Sequence, residues 1–186
     1  MLFTFAARSA AGRRLPRWLA VAVVAVLLAL AALAPAQKAS ANGPKPLHAK
    51  LLGVFAFGPC PAGAPEGAAC LHDRVSGTLE RVGKVSGEFD VAIDAANTGP
   101  DDVAPIAKEG SFVARNGDRL DVSAAGTFDF TTSTATYSYT VTGGTGRFAD
   151  ALGSGTWLVP APAVFDPATG RGSGDEFLDG TLSIHD

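Results

Sequence analysis

From Leu47 onward, hydrophobic and polar residues alternate with a period of two, interrupted by short segments rich in glycine, proline and aspartate. Such alternation is typical of β-strands that bury one face. No ten-residue window in this region has helical spacing of apolar residues without glycine or proline. We therefore predict an all-β domain of about eight strands, most simply a small antiparallel β-barrel, with a sandwich as the alternative.

Turn residues separate these strands, and two turns predict hairpins. Gly83 divides two alternating segments, and Asn116-Gly117 divides two more, where Asn-Gly favours a type I′ turn because both positions need positive φ. Triplets such as Ser-Gly-Thr recur and suggest strands bent at glycine, as in a closed barrel; they are centred on Gly77, Gly87, Gly126, Gly155 and Gly180. The predicted strands are LHAKLLGVFAF (47–57), RVSGTLERVG (74–83), KVSGEFDVAID (84–94), KEGSFVAR (108–115), DRLDVSAAGTFDF (118–130), TATYSYTVTG (134–143), GSGTWLVPA (153–161) and EFLDGTLSI (176–184).

The first 41 residues have the order of a secretory signal peptide. Four arginines precede an apolar run from Leu19 to Leu33, and Ala39-Ser40-Ala41 offers a small-x-small cleavage site. The alternative is an uncleaved membrane anchor, although the run is shorter than the roughly 20 residues that a spanning helix needs. We expect an exported protein, secreted or in the cell envelope, with a short linker (42–46) and one domain (47–186).

Removal of the segment would leave an acidic domain. Residues 1–41 hold 5 of the 15 Lys and Arg residues and none of the 18 Asp and Glu residues, so residues 42–186 carry 10 basic and 18 acidic groups. An acidic chain without basic clusters is a poor nucleic-acid binder. We therefore expect no nucleic-acid partner, and membrane contact only through an uncleaved signal segment.

Cys60 and Cys70 are the only cysteines and bracket the loop CPAGAPEGAAC. In an oxidising compartment this pattern predicts a disulfide. A metal or redox pair is the alternative, but the spacing is too long for C-x-x-C and no histidine pattern accompanies it. His48, His72 and His185 are scattered, so we predict no metal site and no cofactor.

The stretch TVTGGTGRFADALGSGTW (140–157) formally contains the dinucleotide pattern G-x-G-x-x-[GA], and Asp166 follows at a suitable distance. A dinucleotide site also needs a helix N-terminus within a βαβ unit, and this sequence leaves room for one helical turn at most. We therefore predict no nucleotide and interpret the glycines as a tight connection between strands with positive φ. The residues of this structural turn are Gly143, Gly144, Gly146 and Phe148, with Phe148 packing into a barrel end.

The same stretch resembles the Gly-Gly-Thr-Gly-Arg-Phe-x-x-Ala-x-Gly segment of the allene oxide cyclase/dirigent-like superfamily of calycin-like barrels, most closely its exported bacterial members of unassigned function. The segments RVSGTLERVGKVSGEFDVAID, EGSFVARNGDRLDVSAAGTF and FDPATGRGSGDEFLDGTLSI are similar too, and the resemblance spans roughly Leu47 to Ile184. It implies an eight-stranded antiparallel barrel with an apolar cavity, no metal or cofactor, and a possible homotrimer. Its plant members cyclise a fatty-acid epoxide or direct the coupling of phenolic radicals. Their catalytic residues have no recognisable counterpart here.

Four residues are candidates for contact with a ligand: Arg81, Tyr137, Tyr139 and Arg147. Arg81 shares the alternation of apolar residues, both tyrosines share a face with Val141, and tyrosine hydroxyls on an inward face can orient a ligand. The alternatives are a solvated Arg81, tyrosines in the core or at the rim, and a structural salt bridge of Arg147. Three acidic residues lie on the polar face of their strand, which predicts a solvated exterior: Glu88, Asp90 and Asp94.

Two functions remain open on this sequence. The first is a non-catalytic exported barrel that binds a small apolar molecule or acts as a surface or assembly module. The second is a cofactor-free cyclase or isomerase, which would need at least one polar group placed in the cavity. The inward positions of the predicted strands are apolar, which favours the first function.

Overall fold

The protein is an eight-stranded antiparallel barrel with one additional short strand in the computed structural model, which describes residues 43–184. Sequential strands pair from β1 to β7, β7 then pairs with β9, and β9 pairs with β1 to close the barrel. The predicted fold class is therefore confirmed, whereas the predicted signal peptide and His185 lie outside the described residues. The strands are β1 (Lys45–Phe57), β2 (Ala69–Leu79), β3 (Gly83–Ile93), β4 (Val103–Ala114), β5 (Arg119–Asp129), β6 (Thr134–Gly144), β7 (Leu152–Val159), β8 (Val164–Asp166) and β9 (Arg171–Ser183).

Three strands begin five residues earlier than the alternation predicts. β2, β4 and β9 begin at Ala69, Val103 and Arg171, whereas the sequence pattern placed their first residues at positions 74, 108 and 176. In each strand a charged residue on the inner face interrupts the run of apolar positions, so the alternation predicts no strand before that residue. The short β8, which the sequence did not predict, pairs with the first residues of β9.

The predicted hairpins are present. Gly83 and Gly117 have φ values of 94° and 89°. The predicted type I′ turn at Asn116-Gly117 is wrong, because Asn116 is not among the residues with positive φ. The connection instead spans residues 115–117, with the Gly117 amide donating to the Ala114 carbonyl oxygen and the Ala114 amide to that of Asp118. On β3 the predicted faces are correct: Val85, Phe89 and neighbouring odd-numbered positions are buried, while Glu88 and Asp90 are exposed on the exterior.

The half of the barrel where β1 begins and β9 ends is packed with side chains. Here β1 begins beside the end of β9, with Lys45 opposite Leu182. An eight-stranded barrel is just wide enough for its own side chains to fill it, and this half is filled. We call it the closed end; its buried residues include Leu47, Leu51, Val75, Leu79, Val85, Leu120, Val122, Leu178 and Leu182.

The glycine-rich turn covers the closed end, as predicted. Gly143 and Gly146 have φ values of 129° and 57°, which favour glycine. A Cβ at Gly144 would overlap the carbonyl oxygen of Arg119 on β5. Phe148, in a short 3-10 helix (Gly146–Phe148), is completely buried and packs into the core.

At the other end of the barrel, which we call the mouth, Cys60 and Cys70 form the predicted disulfide. It joins Cys60, in the connection between β1 and β2, to the second residue of β2, at a sequence separation of 10. On the chain-entropy model, closing so short a loop stabilises the fold by about 2 to 3 kcal/mol. The disulfide therefore holds the longest connection at this end next to the barrel wall.

Candidate functional site

A cavity of about 290 Å³ enters the barrel from the mouth. Small residues line part of its wall, including Ala69 and Ala135. Its walls are otherwise largely aliphatic and aromatic, and phenylalanines such as Phe57, Phe130 and Phe165 surround the opening. Its volume is at the lower end of the range for small-molecule sites.

Three charged side chains form the floor of this cavity. Asp73 on β2, Lys108 on β4 and Glu176 on β9 all point inward, and each is at most 4% exposed. The Lys108 ammonium lies 2.5 Å from Asp73 Oδ2 and 2.9 Å from Glu176 Oε2. We call these three residues the charged cluster. Two buried carboxylates thus share one buried ammonium.

Two further residues fix the position of Glu176. The indole Nε1 of Trp157, on β7, donates a hydrogen bond of 2.7 Å to Glu176 Oε2. Gly53 lies beside the same carboxyl group, and a Cβ at this position would overlap Glu176 Oε1. Glycine at position 53 therefore leaves the space that the carboxyl group occupies, and the indole holds it there.

Two aromatic rings contact the Lys108 ammonium. Its ammonium lies 3.9 Å from the centroid of the Trp157 ring and 5.2 Å from that of Phe89. Trp157 stacks on Phe112 with a centroid separation of 5.6 Å. Such cation–π contacts are strongest where water is excluded, as it is around this fully buried indole. The rings thus separate the packed closed end from the cavity.

Burial changes the acid–base properties of this floor. Removal of Glu176 from water raises the pKa of its carboxyl group, Lys108 opposes the shift, and the charge of Asp73 and a hydrogen bond with it add to the shift, so that the pKa is about 7. The pKa of the Tyr137 hydroxyl is also raised, by burial and then by the charges of Glu176 and Asp73. At neutral pH the cluster therefore holds a proton on Glu176 in a large fraction of molecules.

One oxygen of the charged cluster has an unmet hydrogen bond. Asp73 Oδ2 accepts from Lys108, whereas Asp73 Oδ1 is buried and has no donor among the described residues. An unsatisfied buried acceptor is destabilising by about 1 to 3 kcal/mol, more for a charged group. The floor of the cavity thus contains a buried acceptor that lacks a donor when Glu176 is ionised.

Of the four residues that the sequence singled out for ligand contact, Tyr137 lines the cavity. Tyr139 lies two residues further along β6, in the packed half, where its buried hydroxyl has no hydrogen-bond partner among the described residues. Burial raises the pKa of Tyr139 to about 12. The two tyrosines share the inner face, as predicted, but only Tyr137 is at the site.

The two arginines lie at the closed end, away from the cavity. Arg81 is exposed in the turn between β2 and β3 with a φ of 70°, because β2 ends at Leu79 and the alternation does not continue to position 81. Arg147 donates a hydrogen bond of 2.8 Å to the carbonyl oxygen of Val82 and lies 3.9 Å from Asp118. Its contacts are those of a structural residue of the turn.

The sequence interpretation missed the charged cluster. It expected no inward polar groups, and this expectation is wrong because Asp73, Lys108 and Glu176 face the interior. The sequence does contain a signal for them. Each of the three residues lies two positions from a buried apolar residue and so on the same face of its strand, as Asp73 does with Val75 and Glu176 with Leu178. The predicted strands begin at or after these residues, so the predicted alternation does not place them on the inner face.

No protein-family model matches this chain, and no curated protein is significantly similar to it in sequence. Among residues 43–184, no group of three or more His, Cys, Asp or Glu side chains is arranged to hold a metal ion. No helix in the described part of the chain is long and apolar enough to span a membrane.

Proposed function

We propose that this protein is an exported barrel that binds a small, largely apolar molecule in the cavity at its mouth. The observation that carries this proposal is the cavity itself, an apolar space of about 290 Å³ that ends at a buried charged cluster. A barrel with a purely structural role could fill this space with side chains, as the closed end does. Apolar walls with a few convergent polar groups are typical of ligand sites.

The test combines native mass spectrometry with calorimetry. The full chain, produced in an export-competent host, should carry a small adduct or, if it is isolated empty, bind hexan-1-ol. Ala135 lines the cavity, so Ala135→Phe should fill the space and lower the affinity for hexan-1-ol at least about tenfold. Ala107→Phe, on the exposed face of β4, is the matched control and should bind normally.

A ligand-free mass together with no binding of hexan-1-ol by a folded protein would contradict the proposal. The same mass spectra report the number of subunits, for which the resemblance to the allene oxide cyclase/dirigent-like superfamily leads us to expect a trimer.

A second candidate is a cofactor-free cyclase or isomerase, and one observation favours it. Burial raises the pKa of Glu176 to about 7, where a carboxyl group can both give and take a proton at neutral pH. Lys108 and Tyr137 lie beside it at the same cavity floor. In this case Glu176→Gln would abolish turnover of a bound substrate without loss of binding, whereas a pure binding protein would convert no ligand that it retains.

A further inference from the structure

We propose that the molecule bound in this cavity carries one protonated amine, and that this amine binds at the charged cluster while an apolar body fills the cavity. The proposal rests on the proposed binding function and specifies the chemical class of the ligand.

The first argument is the charge of the cluster. Two carboxylates and one ammonium give the cluster a net charge of −1 when all three groups are ionised. Among the described residues that line the cavity, no other side chain is charged. A buried charge is costly unless an opposite charge compensates it. A ligand ammonium would supply that charge and give two cations and two anions in contact.

The second argument is the unmet hydrogen bond of Asp73. Its Oδ1 is buried at the cavity floor and has no donor among the described residues. An ammonium carries only donors, so it suits an acceptor that lacks a partner. Hydrogen bonds between ionised groups are roughly twice as strong as neutral ones, so an ammonium is favoured over a hydroxyl at this position.

The third argument excludes acids. A carboxylate ligand would bring a third negative group to a floor whose only cation, Lys108, is already bound by Asp73 and Glu176. Like charges in a poorly solvated site repel strongly. The cavity should therefore discriminate against fatty acids and other carboxylates of the same size.

Binding should also displace a proton. Burial raises the pKa of Glu176 to about 7. Below neutral pH a proton on Glu176 therefore neutralises the same negative charge that the ligand ammonium would neutralise. The titratable groups that face this position are Asp73, Lys108, Glu176 and the Tyr137 hydroxyl, and the other strands contribute none to it among residues 43–184. Amine and proton therefore compete, and binding of the amine releases a proton from Glu176.

The experiment is isothermal titration calorimetry of the full chain with three probes of equal length: hexylamine, hexan-1-ol and hexanoate. We expect hexylamine to bind at least about tenfold more tightly than hexan-1-ol, and hexanoate to bind most weakly. Between pH 6 and pH 8 the affinity for hexylamine should rise by close to tenfold, because the proton competes below the raised pKa while an alkylamine stays charged. Titrations in two buffers of different ionisation enthalpy should show proton release at pH 6.

Glu176→Gln supplies the decisive variant, since its amide oxygen can still accept hydrogen bonds from Trp157 and Lys108. It should lose the preference for hexylamine and the rise between pH 6 and pH 8. Asp175→Asn, the next residue on β9 and exposed beside Lys50, is the matched control and should behave as the wild type. Asp73→Asn should likewise lose the preference and serves as a second variant.

Two results would overturn the proposal in different ways. If the wild-type protein bound hexan-1-ol or hexanoate as tightly as hexylamine, the amine assignment would be wrong and the binding function would stand. If a folded wild-type protein bound none of the three probes, both the assignment and the proposed function would fail.

Discussion

Glu176 links the stability of the barrel to pH. Burial raises the pKa of its carboxyl group in the folded protein to about 7, from 4.5 in the unfolded chain. Between these values the folded state holds a proton that the unfolded state has released, so the free energy of unfolding falls as pH rises through this window. Below pH 4.5 both states are protonated, and this contribution to stability is fully present.

Glu176→Gln should remove this dependence, because glutamine does not titrate. In urea denaturation, the free energy of unfolding of the wild type should fall more steeply between pH 4.5 and pH 7 than that of the variant. Asp175→Asn, on the outer face of the same strand, should keep the wild-type slope. Parallel slopes for wild type and Glu176→Gln would show that the buried carboxyl group is not the titrating group.

The same residues show where sequence patterns lose their predictive value. The charge of Asp73, Lys108 and Glu176 is compatible with an inner face only because three strands distant in sequence bring them together. Each residue alone resembles the end of a strand, since a lone charge in a barrel interior would be unfavourable. Tyr137, by contrast, was predicted as an inward residue because its neighbours on β6 alternate regularly.

At the level of elements, the glycine-rich turn between β6 and β7 should be sensitive to side chains. A Cβ at Gly144 would overlap the Arg119 carbonyl oxygen, and one at Gly146, whose φ is positive, would overlap the Asp118 carboxylate. Overpacking and an unfavourable φ each cost about 1 to 3 kcal/mol. Gly144→Val and Gly146→Val should therefore each lower the thermal midpoint, by roughly 5 to 10 °C for a domain of this size.

Gly43→Val is the control for this prediction, because a Cβ at Gly43 meets no atom within 4 Å. Its thermal midpoint should stay within about 1 °C of the wild type, as expected for a surface substitution. If Gly144→Val and Gly146→Val behaved like this control, the structural interpretation of the turn would be wrong.

The positions of the hairpin turns, unlike the charged cluster, could be predicted from the sequence. Gly83 and Asn116-Gly117 identified the positions of their turns because the residues of a turn are adjacent in sequence, although the type I′ geometry predicted for Asn116-Gly117 is wrong. The first residues of β2 and β4 pair with the far ends of adjacent strands, at Ile93 and Asp129, and the first residues of β9 pair with β1, which closes the barrel. Local chemistry therefore predicts where strands turn, whereas their length and the contents of the barrel depend on non-local contacts.

The whole molecule combines a packed closed end with a cavity at the mouth, and this division should appear in its dynamics. β1 is paired on both sides along most of its length, with β2 from Ala49 to Phe57 and with β9 from Lys45 to Ala56. Its backbone hydrogen bonding is therefore similar at both ends, while its packing is not. Leu51 is fully buried near the closed end, whereas Phe57 is 46% exposed at the mouth.

Local opening is easier where fewer apolar contacts hold a strand. In native-state hydrogen exchange we therefore expect the amides of Ala49 to Leu51 to exchange at least about tenfold more slowly than those of Phe55 to Phe57. β9 should show the same gradient in the opposite chain direction, with slow exchange near Leu182 and faster exchange near Gly172, because it runs antiparallel to β1. Equal protection along both strands would contradict this prediction and would mean that the cavity half opens only with the entire barrel.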